Sequence, residues 1–254
     1  MCKLDIVLQG KMYPYTQEIV NNLLAMDWVS NVILSVFEGD EVVDWGPRVK
    51  QVFNQFLSNP GTGNRNLQLV SSARGLEEVR EKYCAKMRTD QIISQPVLQM
   101  MYDYWIQTED PENRTPEPGM PLGHIYVVGL YSTFPYHPRD HVFWGFTEDV
   151  KKLCSAPFDP MPNEPNYAIR TRAETYIGQY YYAAYDPEIQ KHVDNPLTYT
   201  VDSAPLREEA MAKDREWKDR LFRVWPRVEM AWPKHNLPSY HFEHSAGFGE
   251  YWAD

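Results

Sequence analysis

Two short apolar runs with one amphipathic stretch between them, all inside the first forty or so residues, restrict this chain more than any other feature. Ile6-Val7-Leu8 closes on Gln9-Gly10, and the β-branched run from Val32 to Phe37 closes on Glu38-Gly39-Asp40. Runs of this length without polar alternation read as strands buried on both faces. Between them Ile19, Val20, Leu23 and Leu24 recur at helical spacing, Thr16 is an N-cap type, and Glu18 stands in the first turn, which predicts a helix from Thr16 to Met26. Strand, helix and strand in that order imply a right-handed parallel βαβ unit.

The pattern continues. The break at residues 60–64 precedes a helical stretch from Arg65 to Lys82, with Leu67, Val70, Leu76 and Val79 on its inner face. Tyr83 to Arg88 reads as a strand and Val97 to Ile106 as a helix. Residues 108–123 are dense in Pro, Gly and charge and read as an exposed loop. Ile125 to Tyr131 and Val142 to Phe146 read as strands, and a short helix opens at Thr147. After a second Pro-rich connection at 155–166, Arg172 to Tyr185 and Leu206 to Val224 look helical, while the last thirty or so residues show no period. The expected class is α/β, a mostly parallel central sheet flanked by helices, with a helical C-terminal extension. Residues 1–254 form one domain in this reading, its halves at 1–107 and 124–254.

Composition narrows the function. With 25 Lys and Arg against 35 Asp and Glu, the net charge of −10 is wrong for a broad phosphate-backbone surface, so nucleic acid is not an expected partner, and an anionic membrane surface is disfavoured for the same reason. No run approaches the length of a membrane span, and the start of the chain turns polar too quickly for a secretory signal. Three cysteines without paired spacing suit a reducing compartment, so the expected location is cytoplasmic, or peripheral to a membrane. Aromatic residues make up 14% of the chain, concentrated in its second half; such side chains build cores and also stack on sugars and bases. Dinucleotide, P-loop and nucleophile-elbow glycine motifs are absent from the sequence.

In a parallel α/β sheet, ligands bind beyond the carboxyl ends of the strands. Three polar clusters fall there: Gln9-Gly10, Glu38-Gly39, and the segment from Lys86 to Asp90. Extended spacing puts Lys86, Arg88 and Asp90 on one side of the chain. Two cations and a carboxylate aimed one way suit a diphosphate and its divalent metal; the plainer alternative is a salt-bridged strand end.

The segments IVLQG at 6–10, ILSVFEGDE at 33–41, SSARGLEEVREKYCAKMRTD at 71–90, DHVFWGFTEDVKKL at 140–153 and AETY at 173–176 together resemble the WavE-type family, associated with lipopolysaccharide and surface-glycan synthesis. The resemblance runs across residues 4–195. It implies a glycosyltransferase of GT-A-like, Rossmann-type fold, with residues 1–107 as the nucleotide-sugar half and 124–254 as the acceptor side. It further implies that Gln9, Gly10, Glu38, Gln68, Lys86, Arg88 and Asp90 bind the nucleotide-diphospho-sugar donor. Leu67 stands where the family pattern has Arg. Asp90 would take the place of the metal-binding acid, holding Mn²⁺ or Mg²⁺. His241 and His244 lie beyond the resemblance; as ligand-type residues in the tail they are either further metal ligands or simply solvated. The acceptor would be a glycan, and either Glu174 or Asp140 would be the base that deprotonates its hydroxyl. Tyr180, Tyr181 and Tyr182 cannot all face one way, so at least one belongs to the core. The rival function is a non-catalytic relative that binds glycan or scaffolds a synthesis complex.

Overall fold

The computed structural model describes residues 1–131, 134–160, 172–194 and 204–243, with backbone alone for 204 and 238–243. Strands β1 (Leu4–Gln9), β2 (Val29–Phe37), β3 (Val49–Asn54), β4 (Tyr83–Arg88), β5 (Ile125–Val127), β6 (Val142–Phe146) and β7 (Phe222–Val224) form one seven-stranded sheet in the order β3-β2-β1-β4-β6-β5-β7. Neighbours pair in parallel except around β6, which runs antiparallel to both β4 and β5. This is the expected α/β class.

Helices cover both faces, which is why the central strands are continuously apolar. Alternation sorts their side chains. Leu4, Ile6, Leu8, Ala85 and Met87 meet helices α1 (Thr16–Leu24) and α3 (Gln95–Glu109). Val7, Ile33, Cys84 and Phe143 meet α2 (Arg65–Glu77), α4 (Thr147–Leu153), α5 (Ala173–Ala183) and α7 (Ala204–Leu221), and the short helix α6 (Gln190–Asp194) follows α5. Much of the aromatic content goes into this core rather than onto a sugar-facing surface. Trp28, Trp105, Trp144 and Trp225 are all fully buried, with Trp144 in ring contact with each of the other three. Tyr181 and Tyr182 are core residues, and Tyr180 is half-buried.

Five expectations shift, each for a tertiary reason. The strand expected to reach Tyr131 ends at Val127, beyond which Leu130 bridges Pro138 instead of continuing the sheet. The helix expected to reach Lys82 ends at Glu77, because the buried Asp5 carboxylate accepts the backbone N–H groups of Arg80 and Glu81 at 2.8 and 3.2 Å and turns the chain into β4. The helix expected to reach Val224 yields its last three residues to β7, which pairs with β5 and buries Phe222 at the sheet edge. Val49 to Asn54 had no element in the sequence reading; it is a half-exposed edge strand beside β2. The aperiodic tail contains a hairpin, β8 (Arg227–Trp232) and β9 (Leu237–Glu243), turned at Asn236 with φ 56° and joined to the body through Ile92 and Ala231. Cys2, Cys84 and Cys154 are buried free thiols, and among the described residues no helix is long and apolar enough to cross a membrane.

Candidate active site

The carboxyl ends of β1 and β4 lie side by side, Gln9 opposite Arg88 in register. Gln9 is buried and accepts a hydrogen bond from Ser71 of α2 at 2.8 Å. Gly10 leaves the strand with φ +125°, and a Cβ there would stand 2.7 Å from Thr89 Oγ1, so the position needs glycine twice over. Gly10→Ala is expected to cost about 2 kcal/mol through strain and crowding. Thr89→Ala in the same chain should restore only part of the melting temperature, because it removes the crowding and leaves the φ; full restoration would refute the backbone argument.

Arg88 is the hub. Its Nε and one terminal nitrogen donate to the two carboxylate oxygens of Asp90, both at 2.9 Å, and the other terminal nitrogen donates to Asp140 Oδ2 at 2.9 Å. The antiparallel insertion of β6 makes this possible: Met87 pairs with Val142, so the residues entering β6 arrive where β4 ends. Burial alone would raise both carboxyls. Instead, Arg88 and Lys86 hold Asp140 well below the carboxylate range, and Arg88, with Trp232 and Lys234, lowers Asp90. Trp232 of β8 lies over the guanidinium at 5.4 Å, and Lys234 Nζ stands 3.7 Å from Asp90.

Lys86 takes a supporting place. It is fully buried, donates to the Asp140 carbonyl at 2.8 Å and lies over the Phe143 ring, and burial lowers its pKa. Its ammonium anchors the Asp140 loop and has no exposed surface to offer a ligand. Glu38 is exposed, its backbone N–H bonded to Asn54. Gln68 is half-buried in α2, and its Nε2 meets no hydrogen-bond acceptor among the described residues.

Glu174 occupies the first turn of α5. Burial, reinforced by the negative charge of Asp140, pushes its carboxyl up from 4.5 to about 7. The pair first separated by sequence therefore converges as one ionised and one easily protonated carboxyl, the arrangement that divides roles between two acids. His137, which the sequence reading did not single out, sits 3.9 Å from Glu174 Oε2. Its Nδ1 pairs with Thr175 Oγ1 at 2.8 Å, its Nε2 is buried without a hydrogen-bond partner, and burial lowers its pKa to about 3, so the ring is neutral. Tyr13 and Tyr15, stacked at 5.3 Å in the loop after Gly10, were also missed; Tyr15 Oη reaches the Asp90 carbonyl at 3.4 Å. An aromatic pair three and five residues past a Gly-terminated strand was the available signal.

A divalent cation fits this constellation poorly. Both oxygens of Asp90 are engaged by the Arg88 fork. Among the described residues no group of three or more His, Cys, Asp or Glu is placed to hold a metal ion. His241 lies in β9 opposite Glu229, and His244 falls outside the described residues.

Comparison with solved structures found distant likenesses in architecture. S. aureus TarS is 12% identical over 72% of this chain and 34% of its own, with a TM-score of 0.40, so the chain spans about a third of that protein's length. TarS residues 1–349 in complex with UDP-GlcNAc match at 12% identity over 72% of this chain and 54% of theirs, with a TM-score of 0.39. Mouse xyloside xylosyltransferase 1 in its apo form matches at 10% identity over 94% and 99%, with a TM-score of 0.36. The comparison with curated proteins found no match. The profile of one family, described as WavE lipopolysaccharide synthesis, matches residues 29–228, a span that takes in β4, Arg88, Asp90, Asp140 and Glu174. The chain belongs to the WavE lipopolysaccharide synthesis family.

Proposed function

We propose that the chain is a glycosyltransferase that moves a sugar from a nucleotide-diphospho-sugar donor to a surface-glycan or lipopolysaccharide-type acceptor. The observation that carries this reading is the meeting, at the carboxyl edge of the sheet, of a partly exposed Arg88 cluster with a carboxyl raised to about 7 on α5. Transfer of a glycosyl group needs the departing diphosphate neutralised and the incoming hydroxyl deprotonated. Arg88 and Lys234 are the cations that face the departing group in this reading, and Glu174 is the base. Asp140, ionised and locked to Arg88, has no affinity left for a proton near neutrality and serves instead to orient the guanidinium and to raise Glu174. Gln9, Gly10, Glu38 and Gln68 belong to the donor side, with the Tyr13–Tyr15 pair as a surface for the base.

Thermal unfolding with nucleoside diphosphates tests the donor site. A ligand at a hundred times its dissociation constant adds about 2.7 kcal/mol to stability, so at least one nucleotide should raise the melting temperature by several degrees. If none does, the donor assignment is wrong.

A further inference from the structure

We infer that the Arg88 guanidinium stands in the place of a divalent cation, and that a nucleoside diphosphate binds at this edge without one. The inference rests on the donor-site reading above and concerns how that site handles charge. Two carboxylates, on Asp90 and Asp140, come from segments 50 residues apart in sequence and converge on one point, and both are buried. A pair of acids so placed ordinarily brackets a cation, and here the cation is supplied by the chain. Arginine keeps its charge at any accessible pH, and its planar fork matches a carboxylate edge in a way that no reorientation of Asp90 improves. Direct coordination of a metal by Asp90 would have to break the two bonds from Arg88 and leave a mostly buried guanidinium with half its partners gone, the costly way to open an ion pair.

The charge balance points the same way. Lys86 behind the pair, Arg88 within it and Lys234 in front set three basic side chains against the two carboxylates, so the charge of the pair is already compensated by the chain. A divalent ion therefore finds no uncompensated carboxylate in the pair, whereas a diphosphate finds donors still to spare. Three of the five guanidinium N–H groups of Arg88 are engaged, and the remaining two meet no acceptor among the described residues. With the half-exposed ammonium of Lys234, they are the donors left for phosphate oxygens.

Calorimetric titration of the full chain with UDP, GDP, ADP and CDP, each in excess EDTA and each in Mn²⁺ or Mg²⁺, tests this. The nucleotide that binds is expected to keep its dissociation constant within about threefold between the two conditions. Tightening by about tenfold or more with metal overturns the inference and leaves the donor site standing; absence of binding for every nucleotide in both conditions overturns the donor reading and the inference with it. Arg88→Gln should weaken binding by about tenfold or more in EDTA, and unchanged affinity in a folded R88Q protein also overturns the inference. Should R88Q fail to fold by circular dichroism, Lys234→Met at the half-exposed position should still weaken binding by about threefold, with a shallower salt dependence; no change there overturns the inference.

Discussion

Glu174→Gln is expected to reduce sugar transfer by about 100- to 10,000-fold, the range over which a positioned general base acts, while leaving nucleoside diphosphate affinity within about twofold. The substitution keeps the size and hydrogen-bonding reach of the side chain and removes only its ability to take a proton. In the unaltered protein the carboxyl, raised to about 7 by burial and by Asp140, must be ionised to act, so kcat/KM should rise with pH and level off above about 7. The same shift has a stability consequence of known sign. A group whose pKa is raised by folding stabilises the fold below its unfolded pKa, and that contribution is lost as pH rises through the folded value. The E174Q protein should therefore gain in relative melting temperature between pH 4.5 and about 7 and hold its advantage above that. A pH-independent difference would show that the carboxyl is not raised, and unchanged transfer would remove Glu174 from the chemistry.

The second large effect lies one turn further along α5. Gly178 is packed so closely against the 136–138 segment that a Cβ would stand 1.9 Å from the Tyr136 carbonyl oxygen and 3.0 Å from Pro138 Cδ. That segment cannot retreat. The Tyr136 N–H donates to Asp214 Oδ1 at 2.8 Å, its hydroxyl pairs with His192 at 2.8 Å, and its φ of 55° already marks a constrained backbone. Gly178→Ala is expected to cost about 3 kcal/mol, the upper part of the overpacking range, because both contacting partners are backbone or backbone-anchored. It should also lower transfer in whatever fraction remains folded, because the helix and the segment it displaces carry Glu174 on one side and His137 and Asp140 on the other. Urea unfolding at neutral pH measures the first effect; a loss below about 0.5 kcal/mol, the size of an ordinary surface substitution, would mean that the contact relaxes freely.

These two positions also show where sequence reasoning reached and where it stopped. Lys86, Arg88 and Asp90 were legible as a polar strand end from local spacing, whereas Glu174 entered only through the family resemblance. His137 was not, because nothing in its own neighbourhood distinguishes it; its significance comes from burial beneath Thr175 and from an unpartnered Nε2. Lys86 looked like a phosphate ligand on spacing alone, and the fold buries it behind Asp140, where an ammonium organises a loop. Gly178 carries no signal in the sequence around it; only packing explains it.

Local pattern was sufficient for the alternation of strands and helices, the α/β class, the exact bounds of β4 and β6, and the polar cluster at the end of β4. Those are properties of short stretches, fixed by periodicity and by the need to bury apolar runs on both faces. What only the tertiary structure decided was direction and adjacency. By running antiparallel between two strands that do not, β6 delivers Asp140 to Arg88 across 52 residues of sequence, and a C-terminal hairpin lays Trp232 and Lys234 on the same group. Strand direction within a sheet and the docking of a tail depend on contacts between distant segments, and the free energy of such contacts leaves no period in the residues that make them.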